Sequence, residues 1–202
     1  MTTPWTGRAT FLENVWKQLD KMPQYRNHMR NNIVDVLRGY PDYQILDCGC
    51  GTGLTYESLP PEYRHRYTGL DFTQDMVDCC RGKYPGGKFI QADLLKHESY
   101  TGAELMITQN VLQHILLWQE AMRGIYAKEP QVIIMCERTS NKPTSIFGYS
   151  PAVRWVFNVD DYRKAMEYYG GDKYTPVEIL SHPRNTKNQP DMLTIYRTRR
   201  RT

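Results

Sequence analysis

The stretch Ile45-Leu-Asp-Cys-Gly-Cys-Gly-Thr-Gly53 sets the narrowest limit on how this chain can fold. An apolar run carrying an acid, then glycines at three alternate positions, reads as a strand entering a tight loop. Without a Cβ, glycine takes left-handed backbone angles at little cost and lets the main chain approach a ligand closely. One or two glycines would be an ordinary tight turn. Three in alternation, behind an apolar strand and an acid, make a nucleotide-type loop. The dinucleotide fingerprint G-x-G-x-x-G would put its third glycine at position 54, where Leu54 stands. The Gly-Lys-Ser/Thr of a P-loop is absent.

Around this loop, short apolar runs alternate with helical segments. The runs are 44–48, 67–71, 88–91, 105–108 and 131–136. Thr73 is placed to cap a helix after the second, and a helix follows the fourth from about Leu116 to Ala127. This alternation predicts βαβ units and a parallel sheet. Residues 138–158, with Pro143, Pro151 and several aromatics, read as an inserted loop. A helix over 159–169 stops at Gly170-Gly171. The last two runs, 176–180 and 192–196, are joined by a connection too short for a crossover helix and so should pair antiparallel. Upstream, Thr10 and Glu13 form a capping box for a helix carrying Leu12, Val15, Trp16 and Leu19. A second helix follows Pro23, with Met29, Ile33, Val36 and Leu37 on one face and Gly39 as its stop. The expectation is a doubly wound α/β fold: a mostly parallel seven-stranded sheet, a C-terminal antiparallel hairpin, and a helical flank at 1–42. At 202 residues this fills one domain, 1–202.

Read as a pattern, the loop is Asp47-x-Gly49-x-Gly51-Thr52-Gly53. It closely resembles the first motif of the class I S-adenosylmethionine (SAM)-dependent methyltransferases, particularly the small single-domain enzymes acting on metabolites. The resemblance implies a Rossmann-like fold, SAM as cofactor and S-adenosylhomocysteine as product. SAM has no phosphates. An acid at Asp47 suits the ammonium of its methionine tail, and loop amides suit the carboxylate. The resemblance lines the methionine and ribose with Asp47, Gly49, Cys50 and Gly51, with Gly53 supporting the turn. Asp71, at the tip of the second strand, is implied to accept both ribose hydroxyls; a helix N-terminal acid is the bland alternative. Phe72 and Met76 are implied to flank the adenine, though both equally suit a core. Asp93 is implied to accept from the adenine amino group, with the Ala92 amide in reach and Leu94 beside it; a lone Asp there is commonly a turn residue.

Thr108-Gln-Asn-Val-Leu-Gln-His-Ile115 resembles the family segment after the fourth strand, often x-x-Val-Leu-Glu-His-Ile. This places Gln109 and Asn110 where methionine moiety and acceptor meet. Gln113 stands where a Glu is frequent. His114 is a candidate base or acceptor ligand, and also a candidate anchor for the loop.

Methyl transfer from a sulfonium is an in-line displacement, so the protein's task is to align the acceptor and keep its lone pair free. An amine must arrive neutral, a hydroxyl needs a base, and a carboxylate needs neither. His114 and Tyr149 are the candidate catalytic residues. Fifteen tyrosines and four tryptophans are many for this length. Trp5, Phe11, Trp16 and Tyr25 are a candidate lid. Phe147, Tyr149, Arg154, Trp155 and Phe157 lie beyond the fifth strand, on the side where open α/β sheets bind ligands, and are a candidate acceptor pocket. Each of these aromatics singly is more simply a core residue. The implied partner is a small-molecule acceptor methylated on N or O.

Five cysteines with no CxxC pair give neither a disulfide framework nor a structural zinc. His28, His65, His97 and His182 show no metal-ligand spacing and read as surface residues. No signal-peptide run or span of membrane length is present, which points to a cytoplasmic setting. The alternative is an RNA or protein methyltransferase, motivated by the basic end (Arg197, Arg199, Arg200, Arg201) and a pI near 8.7. Against nucleic acid stand a mild net charge of +4, no long basic stripe, and Gln109-Asn110-Val111-Leu112 where an Asn-Pro-Pro-Tyr-type motif would be. The arginines read more simply as a solvated end. A third class is a non-catalytic SAM-binding protein or a dinucleotide oxidoreductase.

Overall fold

A computed structural model describes residues 7–10, 13–14, 32–149, 152–183 and 192–200. The chain divides into two compact units, Met1–Ala92 and Asp93–Thr202.

In the first unit three short strands run parallel in the order β3-β2-β1: β1 (Ile45–Cys48), β2 (Tyr67–Asp71) and β3 (Lys88–Gln91). β1 is buried along its whole length, β2 mostly, and β3 only at its centre around Phe89, and the bounds of all three were legible to within a residue. Helices α1 (Leu54–Ser58), α2 (Pro61–Arg64) and α3 (Gln74–Lys83) connect them. α3 turns Met76, Val77 and Cys80 inward. Tyr56, Tyr67, Tyr84 and Phe89 pack as one aromatic cluster, with ring centroids 5.0–6.1 Å apart. The buried Arg66 guanidinium ties the chain entering β1 by donating to the carbonyls of Tyr40 and Tyr43, and it stacks over the Tyr63 ring.

Residues 32–38 are helical, bury Ile33 and Leu37, and stop at Gly39, whose N–H donates to Val36. Two capping expectations are corrected here. Thr10 already lies inside a helical turn with Ala9, and Glu13 faces α3, with Cys79 Sγ donating to it and Lys83 Nζ at 3.9 Å. Thr73 does sit at the N-cap of α3, but its hydroxyl turns away from the helix amides. The proposed lid residues Trp5, Phe11, Trp16 and Tyr25, with His28, lie outside the described residues.

The second unit holds β4 (Leu105–Gln109), β5 (Val132–Ser140), β6 (Ser145–Tyr149), β7 (Ala152–Asn158), β8 (Tyr174–Pro183) and β9 (Met192–Arg200). β4 and β5 are parallel, β9 runs antiparallel along β5, and β8 pairs antiparallel with β9. Pro176 and Pro183 lie in β8, whose described pairing is on one side only, as a residue without an N–H requires. Helices α4 (Trp118–Ala127) and α5 (Val159–Gly170) complete the unit. The Asn158 side chain caps α5 by accepting from the N–H groups of Asp160 and Asp161.

Three sequence expectations fail in this unit. Residues 138–158 are not an inserted loop: β5 continues to Ser140, and β6 and β7 then form an antiparallel hairpin. The hairpin returns β7 to lie parallel to β5 at Thr139↔Phe157 and Ser140↔Asn158. Arg197, Arg199 and Arg200 are not a solvated end but part of β9, between β5 and β8. His97 is not a plain surface residue; its ring packs on Gly124, and Nε2 lies 3.1 Å from the Glu120 carbonyl. Among the described residues no helix is long and apolar enough to cross a membrane.

Candidate active site

The glycine loop is built as a left-handed turn. Gly49, Gly51 and Gly53 have φ of 87°, 52° and 82°, angles an L side chain rarely adopts. A Cβ on Gly53 would stand 2.7 Å from the Tyr84 ring and 3.2 Å from Cys80 Sγ, so this glycine is required by packing as well as angle. Gly51 differs. A Cβ there would meet nothing within 4 Å, so its face opens on free space.

The loop amides are mostly spent internally. Gly49 and Cys50 N–H both donate to the Leu70 carbonyl, and Gly53 N–H donates to Cys50. Gly51 N–H donates to Asp71 Oδ2 at 2.9 Å. This loop therefore does not fan its amides outward as a phosphate cradle does. It fastens itself to the tip of β2. Cys50 is buried, and Cys80 Sγ donates to the Gly51 carbonyl, so the thiols brace the turn from behind.

Asp71 is the hub. Its Oδ1 accepts from both the N–H and the hydroxyl of Thr73, and its Oδ2 accepts from Gly51. Burial raises its pKa while these bonds, from Thr73 and Gly51, pull it back. A carboxylate offers about four lone-pair positions. Three are used here.

Asp47, by contrast, is shut inside the unit. It is 1% exposed and accepts from the Tyr67 hydroxyl at 2.6 Å, with Thr55 a second side-chain partner. Burial pushes its carboxyl up to about 6, against the pull of those two bonds and with the Asp71 charge adding to the rise. Phe72 is exposed at the tip of β2, whereas Met76 is core. The Ala92 N–H is already donated to the Asp71 carbonyl. In the first unit the structure thus brings Asp47, Gly49, Cys50, Gly51, Gly53, Asp71 and Phe72 to one end of the parallel strands.

In the second unit Asp93 closes a turn: its Oδ1 accepts from Leu95 N–H, and its own amide donates to Ser99. Leu94 is buried. Gln109 ends β4, and Asn110 follows in left-handed backbone (φ 57°), with its N–H on the Cys136 carbonyl. The next three amides converge on one buried carboxylate, Glu137. Its Oε1 accepts from Val111 and Leu112, and its Oε2 from Gln113, at 3.1–3.3 Å. Burial pushes Glu137 up to about 7, with the Leu112, Val111 and Gln113 bonds opposing. Sequence reasoning missed this residue. The signal was an acid at the end of the most apolar strand.

His114 is anchored on both sides of its ring. Nδ1 lies 3.0 Å from the Val153 carbonyl, and Nε2 lies 3.1 Å from Gln113 Nε2. Burial holds its pKa down to about 4; the Val153 bond opposes this, and the Arg154 and Arg138 charges add to it. The Trp155 indole N–H donates to Ile115, pinning the far end of the same loop to β7. Of the supposed pocket aromatics, Phe157 is wholly buried against Trp118 and Tyr162. Arg154 is exposed and Trp155 half-buried. The Tyr149 and Phe147 side chains lie outside the described residues, although their backbone is in β6.

The sequence pattern of the family described as methyltransferase domain matches residues 45–128, from β1 through α4. Over these residues the chain is similar to that family. The strand orders 3-2-1 and 4-5-9-8, with antiparallel C-terminal strands, are those of a mixed α/β Rossmann-like fold. A SAM-dependent methyltransferase from Clostridium acetobutylicum is similar over 94% of this chain and 98% of its own, with a TM-score of 0.65 at 10% identity. The 1,6-didemethyltoxoflavin-N1-methyltransferase of Burkholderia thailandensis is similar over 96% and 87%, with a TM-score of 0.65 at 16% identity. At these identities the likeness is one of fold. A trans-aconitate 2-methyltransferase of Rhizobium leguminosarum is 29% identical over 99 residues, which are 45% of this chain and 39% of that one. The chain spans between about a third and somewhat over half of the curated relatives it matches. The β6–β7 hairpin lies after the 45–128 match.

Proposed function

We propose that the chain is a SAM-dependent methyltransferase that methylates an N or O atom of a small organic acceptor. The observation that carries this reading is the Gly51–Asp71 pair. A left-handed glycine with open space above it is bonded to a carboxylate that retains a lone-pair position. That combination fits a nucleoside sugar and does not fit a pyrophosphate, for which outward amides are needed.

When bound, SAM supplies an activated methyl on a sulfonium. Gly49 and Gly51 shape the face it rests on. Asp71 takes one ribose hydroxyl through Oδ2, and the second requires the Thr73 hydroxyl to turn aside. Phe72 offers an apolar face to the adenine. Asp47 acts through Tyr67 and Thr55 on the shape of the loop. Both nitrogens of His114 are engaged, which favours the anchoring role over that of a base. The matched relatives act, by name, on trans-aconitate and 1,6-didemethyltoxoflavin. Both are small molecules, which supports a small acceptor here.

The test is calorimetric titration of SAM and S-adenosylhomocysteine into the parent, Gly51→Arg and Asp71→Ala. Binding to the parent, with at least a tenfold loss in each folded variant, is expected. Equal affinity in all three, or binding of NAD instead, sinks the proposal.

A further inference from the structure

All five cysteines are free thiols, and two of them meet behind the glycine loop. Cys50 lies in the loop and Cys80 on the inner face of α3, both within the first unit. Their Sγ atoms converge on one oxygen, the Gly51 carbonyl, at 3.8 Å from Cys50 and 3.1 Å from Cys80. The two thiols also share a hydrogen bond. Glycines leave them that room. A Cβ on Gly53 would stand 3.2 Å from Cys80 Sγ, and one on Gly69 would stand 2.9 Å from Cys50 Sγ. The other cysteines of this unit are held elsewhere: Cys79 turns its Sγ to the Glu13 carboxylate, and Cys48 is fixed in β1 opposite Leu70. Bracing the turn needs one S–H on the Gly51 carbonyl. A second thiol in contact with the first is what a disulfide needs.

We infer that Cys50 and Cys80 are a reversible modification site: a hydroperoxide joins them as a disulfide, and the joined form no longer holds the glycine loop in its SAM-binding shape. The inference rests on the methyltransferase function proposed above and names a regulation of that same loop. The Cys50 sulfur attacks one peroxide oxygen, the O–O bond breaks, and water leaves with Cys50 as the sulfenic acid. The Cys80 sulfur then displaces that oxygen as a second water and forms the S–S bond. Two electrons pass from the sulfur pair to the peroxide, and both thiol protons leave in the waters. The bond draws the sulfurs to about 2.05 Å, closer than any hydrogen-bonded pair, and removes both S–H donors from the Gly51 carbonyl. Gly51 follows Cys50 directly and holds Asp71 through its N–H at 2.9 Å, so the pull reaches the Gly51–Asp71 pair. The hydrogen bond to Cys80, and then burial, push the Cys50 thiol well above its usual range. The closed loop therefore reacts slowly, and oxidation follows its opening. A small dithiol reverses the bond by exchange.

The experiment treats the full chain with hydrogen peroxide, quenches with catalase, and divides the sample with and without dithiothreitol. Intact mass, thiol titration and peptide mapping read the bond; calorimetry reads S-adenosylhomocysteine affinity. Expected are a loss of two hydrogens, a free-thiol count two below the starting five, and a peptide cross-linked through Cys50 and Cys80. The Kd for S-adenosylhomocysteine should rise about tenfold or more, and dithiothreitol should restore it. Cys80→Ser and Cys80→Ala, each checked for cooperative unfolding, should keep their own starting affinity through the same treatment. Absence of the cross-link, a bond between another pair, a Kd unchanged by the bond, or an equal loss in a folded Cys80 variant overturns the inference. Failure of the untreated parent to bind S-adenosylhomocysteine overturns instead the function it rests on.

Discussion

Asp47 and Asp71 lie near the ends of neighbouring strands of one sheet, yet their surroundings divide the labour between them. Asp71 keeps one side toward solvent and binds the loop; Asp47 is enclosed, with its pKa held at about 6. Because that value lies above its unfolded 3.8, the folded protein binds the extra proton. The stabilisation is complete below pH 3.8 and is lost as pH rises through 6. Asp47→Asn cannot lose it. The parent should therefore lose stability relative to this variant between pH 3.8 and 6, by about 1.4 kcal/mol for each pH unit crossed, and the gap should then stay constant. Urea unfolding across that range checks it; a flat difference refutes it. His114 carries the opposite sign. Its folded pKa of about 4 lies below the unfolded 6.5, so its contribution is present above pH 6.5 and lost as pH falls through 4. His114→Phe should remove that acid-side decline. A parent and variant that weaken in parallel between pH 6.5 and 4 would count against it.

The β6–β7 hairpin and α5 depend on one residue, Asn158. Its oxygen caps α5, its amide donates to the Lys142 carbonyl, and its own N–H donates to Thr144, whose hydroxyl donates to Asp161. Asn158→Ala removes the cap and should cost about 0.5–2 kcal/mol by chemical denaturation. SAM affinity should not change, since α5 and the glycine loop belong to different units; a tenfold loss would show that they are coupled. Gly53→Ala should do the reverse. A methyl driven toward the Tyr84 ring at left-handed φ deforms the loop itself. It should weaken SAM binding more than tenfold as well as lowering Tm.

For the whole chain, ligation should appear as stability. S-adenosylhomocysteine at about 100 times its Kd should add about 2.7 kcal/mol. In a chain of 202 residues each kcal/mol raises Tm by about 2–4 °C, so a rise of roughly 5–10 °C is expected. NAD at equal concentration should give none. A shift with NAD and none with S-adenosylhomocysteine would contradict the assignment.

Much of this architecture was legible in the letters. β1, β2 and β3 are parallel strands, and their short runs around Ile45-Leu46, Leu70 and Phe89-Ile90 marked them within a residue. The three glycine angles followed from the spacing of Gly49, Gly51 and Gly53. The hairpin was not legible, because Pro143 and Pro151 interrupt a segment of mixed polarity whose strands cohere only by pairing with each other and with the end of β5. Nor was the extension of β5 through Glu137–Ser140, whose polar side chains are buried where packing supplies them with partners.

Local periodicity and spacing carry information over a few residues, enough to specify strands, turns and the acids at strand tips. Which atoms of those acids remain for a ligand depends on partners 20 residues away for Asp47, 25 for Glu137 and 39 for His114. No local pattern encodes such distances. Folding alone turned Asp47 inward and left Asp71 facing the loop. It also buried one amide oxygen of the turn after β4 with no donor among the described residues.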